Sequence, residues 1–152
     1  MHRSGDQTSF TLAICISAIG ICFLFASPLS ARELRPGLYE IEVSVELPHL
    51  TNPAATQKVS MCITDAQSAG HATFQILSEM PIAKCPTSPI SFGGGKAEFR
   101  VICPGKRAAH ALAKFSISTD AFDGTIRMNM GGKNMTVIER QKGKRIGTCG
   151  EK

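Results

Sequence analysis

The sequence predicts a mainly β fold: an antiparallel β-meander of about seven strands forming a sandwich or a curled, partly open barrel, with one short helix. Three observations carry this prediction. Several segments alternate apolar and polar residues with a period of two, as a strand does when one face is buried and the other wet. Glycine-containing turns separate these segments at short intervals. An even set of cysteines remains once an apolar leader is set aside, as in small exported domains stapled by disulfides.

The leader comes first along the chain. Residues 11–26 (TLAICISAIGICFLFA) form a nearly unbroken apolar run of 16 residues behind a short polar stretch carrying Arg3, the pattern of a secretory signal. The run is shorter than the roughly 20 residues needed to span a bilayer core, which favours a cleaved signal over an anchor. Ser27-Pro28-Leu29-Ser30-Ala31 offers a cut after Ala31, so the expected organisation is a signal peptide over 1–31 and a single disulfide-stapled β domain over 32–152. Cys15 and Cys22 each follow an isoleucine, where lipidation wants a small residue, so no stable membrane anchor is expected after cleavage. The expected location is the periplasm. The remaining domain carries 16 Lys and Arg against 11 Asp and Glu. That excess suits solubility, and equally a weak contact with an anionic envelope surface. Aromatic residues are few and no recognition motif is present, so nucleic acid is not an expected partner.

The strands follow in order. Tyr39, Ile41, Val43, Val45 and Leu47 alternate with Glu40, Glu42, Ser44 and Glu46, giving the clearest strand. Residues 48–55 read as a loop by their prolines and Asn52, and 57–63 supply a second strand through Val59, Met61 and Ile63. Thr64 and Gln67 have capping-box spacing and open a short helix that Gly70 would end. Residues 71–84, with Phe74, Ile76, Leu77 and Met80, show no decisive period and stay unassigned. Beyond Cys85 the chain reads as strands over 87–92, 97–103, 108–119, 125–130, 134–141 and 144–149. Turns are expected at Gly93-Gly94-Gly95-Lys96, Pro104-Gly105, Asp123-Gly124 and Gly131-Gly132-Lys133.

Four cysteines remain in the domain: Cys62, Cys85, Cys103 and Cys149. Their wide spacing, with no CxxC and no HxxxH, argues against zinc and against thiol redox chemistry. Three pairings are possible. The favoured one joins Cys85 to Cys103, at the outer ends of one hairpin, and Cys62 to Cys149. Closing those loops stabilises by about 3 and 4.5 kcal/mol in the chain-entropy picture.

Three stretches together resemble the domain of unknown function 3617 family: Arg35-Pro36-Gly37-Leu38-Tyr39-Glu40, Cys62-Ile63-Thr64 and Gly143-Lys144-Arg145-Ile146-Gly147-Thr148-Cys149. The closing GKRIG-x-C is the most specific of them. The chain departs from the family pattern at Thr148, where Asp is more usual, in the tail Gly150-Glu151-Lys152, and at His49-Leu50-Thr51-Asn52, where members often carry Met and Pro. The resemblance implies an exported proteobacterial protein with a β-rich fold and paired cysteines, and implies no activity.

Candidate chemistry is sparse. Met128, Met130 and Met135 flank one turn, and three thioethers would suit Cu(I), but methionine more commonly fills irregular core space; no metal or cofactor is expected. Glu40, Glu42 and Glu46 line a strand face and read as solvated residues rather than glycosidase carboxylates. His49, His71 and His110 lack any nucleophile pattern, and no GxSxG is present. Gly93-Gly94-Gly95-Lys96 lacks the Ser or Thr and the helix of a phosphate loop. Arg140, Lys142, Lys144 and Arg145 form a basic run that reads as a solvated edge discouraging strand pairing, or as a contact to an anionic surface. With no catalytic residue expected, the reading is a non-enzymatic binding or accessory module. Its competitors are an enzyme with dispersed site residues, and a carrier holding an apolar molecule among Phe99, Val101, Phe115, Ile117 and Met128.

Overall fold

The computed structural model describes residues 34–150 apart from 49, 53–54, 69–73, 107 and 132–134. The expected leader, with Cys15 and Cys22, and the expected helix stop at Gly70 lie outside the described residues. Seven strands run antiparallel in one sheet of order β2-β1-β7-β6-β5-β4-β3. They are β1 (Gly37–Glu46), β2 (Ala55–Ile63), β3 (Ser91–Gly93), β4 (Lys96–Ile102), β5 (His110–Ser118), β6 (Ala121–Asn129) and β7 (Thr136–Gly147). Two edges remain, β2 and β3, so the sheet is open, and the second layer is not a second sheet as a sandwich would require.

That second layer is an irregular strap, residues 74–90, laid over the apolar face. The alternation seen in the sequence sets this face: Tyr39, Ile41 and Val43 from β1, Phe99 and Val101 from β4, Ala111, Ala113 and Phe115 from β5, and Ile126 and Met128 from β6 are all buried. The strap adds Phe74, Ile76 and Ile82, also buried. The Phe74 ring lies 4.4 Å from that of Phe115 and meets Phe122 edge-on at 5.2 Å, geometries favoured by aromatic quadrupoles. A single 3-10 turn, Pro81–Lys84, opens on a proline whose missing N–H is no loss there. The unassigned 71–84 region thus resolves, over its described part, into irregular strap ending in that one 3-10 turn.

The Gln67 side chain makes the return half of the capping box that its spacing from Thr64 predicts. The Thr64 amide donates to Gln67 Oε1 at 2.9 Å and the Gln67 amide to the Thr64 carbonyl at 3.0 Å, starting the one-turn helix α1 (Asp65–Ser68). The Gly93–Lys96 hairpin closes through Gly94 and Gly95 at φ +58° and +72°, the pair of positive values that a two-residue hairpin with the sheet's own twist demands.

One expected turn and one expected strand break are corrected. Asp123-Gly124 lies inside β6, and the hairpin turns instead at Thr119 and Asp120, between the paired Ser118 and Ala121. The two strands expected over 134–141 and 144–149 are one strand, β7, running straight through Gly143. Both glycines serve packing. A Cβ on Gly124 would stand 2.0 Å from the Phe115 ring, and one on Gly143 2.2 Å from the Phe122 ring, so each glycine is the hollow in which a neighbouring ring lies.

Cys62 and Cys149 stand at disulfide distance with Cα atoms 5.5 Å apart, and Cys85 and Cys103 with Cα atoms 4.9 Å apart. The first ties edge strand β2 to the segment after β7. The second holds the strap to the end of β4, where Ser88 and Pro86 also exchange hydrogen bonds with Arg100 and Ile102. Together with the three-residue β3, this covers one edge of the sheet.

Candidate functional site

The family-like motifs at the two ends of the domain meet in one corner. Arg145 Nε donates to the Pro36 carbonyl at 2.9 Å, and the Tyr39 hydroxyl donates to the Arg35 carbonyl at 2.6 Å. Gly37, at φ +151°, passes so close that a Cβ would stand 2.4 Å from Arg145 Nε. Burial first, and Asp120 second, push the Tyr39 phenol above its ordinary range. These contacts join the start of β1 to the end of β7, so the motif residues hold the fold together at this corner.

A second polar centre is buried beneath the strap. Glu139 and Gln141 of β7 occupy core-facing positions and are essentially inaccessible. Both Glu139 carboxylate oxygens accept: Oε1 from the Leu77 amide at 2.9 Å and from Gln141 Nε2 at 2.5 Å, Oε2 from the Ser78 amide at 3.1 Å and from the Ser78 hydroxyl. Gln141 Nε2 also donates to the Gln75 carbonyl at 2.7 Å. A carboxylate so fully engaged is a latch holding strap to sheet, because its acceptor positions are already filled. The sequence signal for it is two polar residues, Glu139 and Gln141, in phase with Val137 on the core side of a strand.

The outer face of the sheet is different. Its register sets Arg100, Leu112 and Arg127 side by side on β4, β5 and β6, with Ile102, His110 and Asn129 in the next row. These residues line an open groove of about 570 Å³ that contains no carboxylate among its lining side chains. Arg100 and Arg127 are two strand spacings apart, about 9.6 Å between Cα atoms, with Leu112 between them. Several other charges on this face are paired: Glu40 with Lys58 at 3.0 Å, Glu98 with Lys114 at 3.5 Å and Glu46 with Arg140 at 2.7 Å. No ion pair among the described residues engages Arg100 or Arg127. A neighbouring groove of about 390 Å³ mixes Lys96 and Lys114 with Glu98 and Asp123 and so has no dominant sign. Arginine forks without partners beside apolar side chains suit an oxyanion attached to an apolar body.

Each residue singled out in the sequence has a defined place where it is described. Glu40 and Glu46 are ion-paired on the outer face; the Glu40 carboxylate, through its hydrogen bond and its charge, holds the Lys58 ammonium above its ordinary range. Glu42 lies between Lys58 and Lys142 in register. Met128 is sealed in the core, Met130 is half-buried and Met135 is exposed, so the three thioethers share no accessible surface. Among the described residues no group of three or more His, Cys, Asp and Glu side chains is placed to hold a metal ion. The basic run does not guard an edge: β7 is a central strand between β1 and β6, with Arg140, Lys142 and Lys144 facing out and Arg145 on Pro36. The residues proposed for apolar carriage, Phe99, Val101, Phe115, Ile117 and Met128, are buried in one core cluster that includes Phe74, Ile76 and Ile82 of the strap. His110 stands in the outer groove, while His49 and His71 lie outside the described residues. Arg100, Leu112 and Arg127 were not singled out, because only the register of three strands brings them together.

The family model that matches is a protein of unknown function (DUF3617), over residues 34–149. No curated protein and no solved structure matches the chain. Among the described residues no helix is long and apolar enough to cross a membrane.

Proposed function

The chain belongs to the DUF3617 family, and we propose that it is an exported, periplasmic, non-enzymatic binding module whose outer sheet face takes an anionic ligand with an apolar part. The observation that carries this reading is the carboxylate-free groove with Arg100 and Arg127 on either side of Leu112. Three further features support it. The leader pattern and the two cysteine pairs fit an oxidising compartment. The inner face is filled by Phe74, Ile76 and Ile82, which leaves the outer face for a ligand. The buried Glu139 is committed to the strap rather than to a substrate.

The test is a titration of the isotope-labelled protein with phenyl phosphate, followed by the backbone and arginine side-chain signals. Shifts confined to Arg100, His110, Leu112 and Arg127, weakened in Arg100→Gln/Arg127→Gln, are the expected result. Shifts scattered over all basic residues, or none at millimolar probe, refute the groove.

A further inference from the structure

Three of the five large apolar side chains exposed among the described residues lie at one end of the sheet: Leu50 at 54%, Ile102 at 58% and Met135 at 51%. The register places them there. Ile102 pairs with His110, His110 with Asn129, and Asn129 with Thr136, next to Met135. Leu50 follows the end of β1, where Glu46 pairs with Ile138 and the Leu50 amide donates to the Leu47 carbonyl. Arg100 and Arg127 stand one row behind these tips, and the exposed Lys106 lies in the turn between β4 and β5. Phe92 and Ile146, the other two, sit toward the opposite end.

We propose that this end of the sheet docks on an anionic phospholipid surface, with Leu50, Ile102 and Met135 entering the headgroup layer and Arg100 and Arg127 holding lipid phosphates. This deepens the binding reading above and rests on it. Apolar tips with cations set just behind them match the layered chemistry of an interface, where acyl chain gives way to phosphate over a few ångströms. Phospholipid is the anion that fits: each arginine fork takes one phosphodiester, and a lipid surface presents many of them side by side, so that two forks about 9.6 Å apart are met at once. A protein partner would look for a contiguous apolar patch, and three separate tips around a basic groove do not offer one. The positive net charge of the chain favours the same surface at longer range.

The experiment is co-sedimentation of the disulfide-intact protein with vesicles of phosphatidylcholine and phosphatidylglycerol at 7:3, and with pure phosphatidylcholine, near 0.1 M salt. Binding to the anionic vesicles alone is expected. Arg100→Gln/Arg127→Gln lowers the partition about thirtyfold, from about 1 kcal/mol per cation at an anionic surface. Lys96→Gln/Lys114→Gln, the same charge change on the mixed groove, lowers it by less than about threefold, because those residues stand farther from the surface than a Debye length or near it. Leu50→Ser/Ile102→Ser/Met135→Ser lowers it about tenfold or more. Equal losses for the two charge pairs, or undiminished binding by the tip variant, overturn the docking geometry. No sedimentation while phenyl phosphate still shifts the groove overturns the lipid proposal and leaves the anion-binding reading standing; failure of both removes both.

Discussion

Replacing Glu139 by glutamine tests whether the strap is held by its buried carboxylate. The amide has nearly the same shape, so packing is kept and the change falls on hydrogen bonding. Four donor contacts now converge on two oxygens, three of them from Leu77 and Ser78 of the strap. With the new NH₂ toward Ser78, the hydroxyl can turn and accept, but the Ser78 amide is left facing another donor. An orphaned buried N–H costs about 1–3 kcal/mol, and the bonds to the remaining oxygen lose their charge assistance. The total is about 3 kcal/mol. Urea unfolding with disulfides intact is the assay, and the midpoint falls by about 1.5 M for a domain of this size. Exchange of the Leu77 and Ser78 amides accelerates at least as much as that of amides in β6. A loss below about 1 kcal/mol, or acceleration in β6 without it at Leu77 and Ser78, refutes the latch.

Gly124→Ala and Gly143→Ala each drive a methyl group into a ring, at 2.0 Å from Phe115 and 2.2 Å from Phe122, and destabilise by about 1–3 kcal/mol; a neutral result in urea would mean the rings are not seated there. Cys85→Ser/Cys103→Ser removes a loop constraint worth about 3 kcal/mol and frees the end of the strap, read as the same loss in unfolding with Cys62–Cys149 intact. Tyr39 is the chain's one tyrosine, and with no tryptophan present the phenolate absorbance near 295 nm reports it alone. Its folded pKa is raised, by burial first, so its contribution to stability is complete below the ordinary value of 10.0 and is lost as pH rises through the folded value. The folded protein should ionise at higher pH than the denatured one, and coincident curves would refute the burial.

The strand phases were legible because side-chain direction is written directly into a period of two. Tyr39, Ile41 and Val43 are buried, as are Ala111, Ala113, Phe115 and Ile117, on the faces their alternation assigns. Gly124 and Gly143 were not legible. A glycine that frees a turn and a glycine that makes room for a ring look alike along the chain, and what separates them is the cross-strand neighbour: Phe115 for one, Phe122 for the other. The strap was silent for a related reason. Its fixed points are contacts to Glu139 and Gln141 more than 60 residues later, and those impose no local period. The groove needed the register of three strands at once, and Arg100 and Arg127, read singly, are ordinary outward-facing positions.

The strap also decides where a ligand can bind. To expose the inner face, Phe74, Ile76 and Ile82 must leave the core, at about 2 kcal/mol each, and the charge-assisted bonds of Glu139 to Leu77 and Ser78 must break. Together that is about 10 kcal/mol, within the 5–15 kcal/mol that holds a whole domain of this kind. Cys85–Cys103 would still tether the displaced segment over the opening. Opening the strap is therefore comparable in free energy to unfolding, and a carrier that had to unfold to load would compete poorly with one that used its outer face. The consequence is measurable by native-state hydrogen exchange: the Leu77 and Ser78 amides of the wild-type protein should exchange with the same free energy and denaturant dependence as the core of β6. Exchange several kcal/mol easier at the strap, with little denaturant dependence, would mean that it opens locally, and would return the apolar interior to consideration as a binding site.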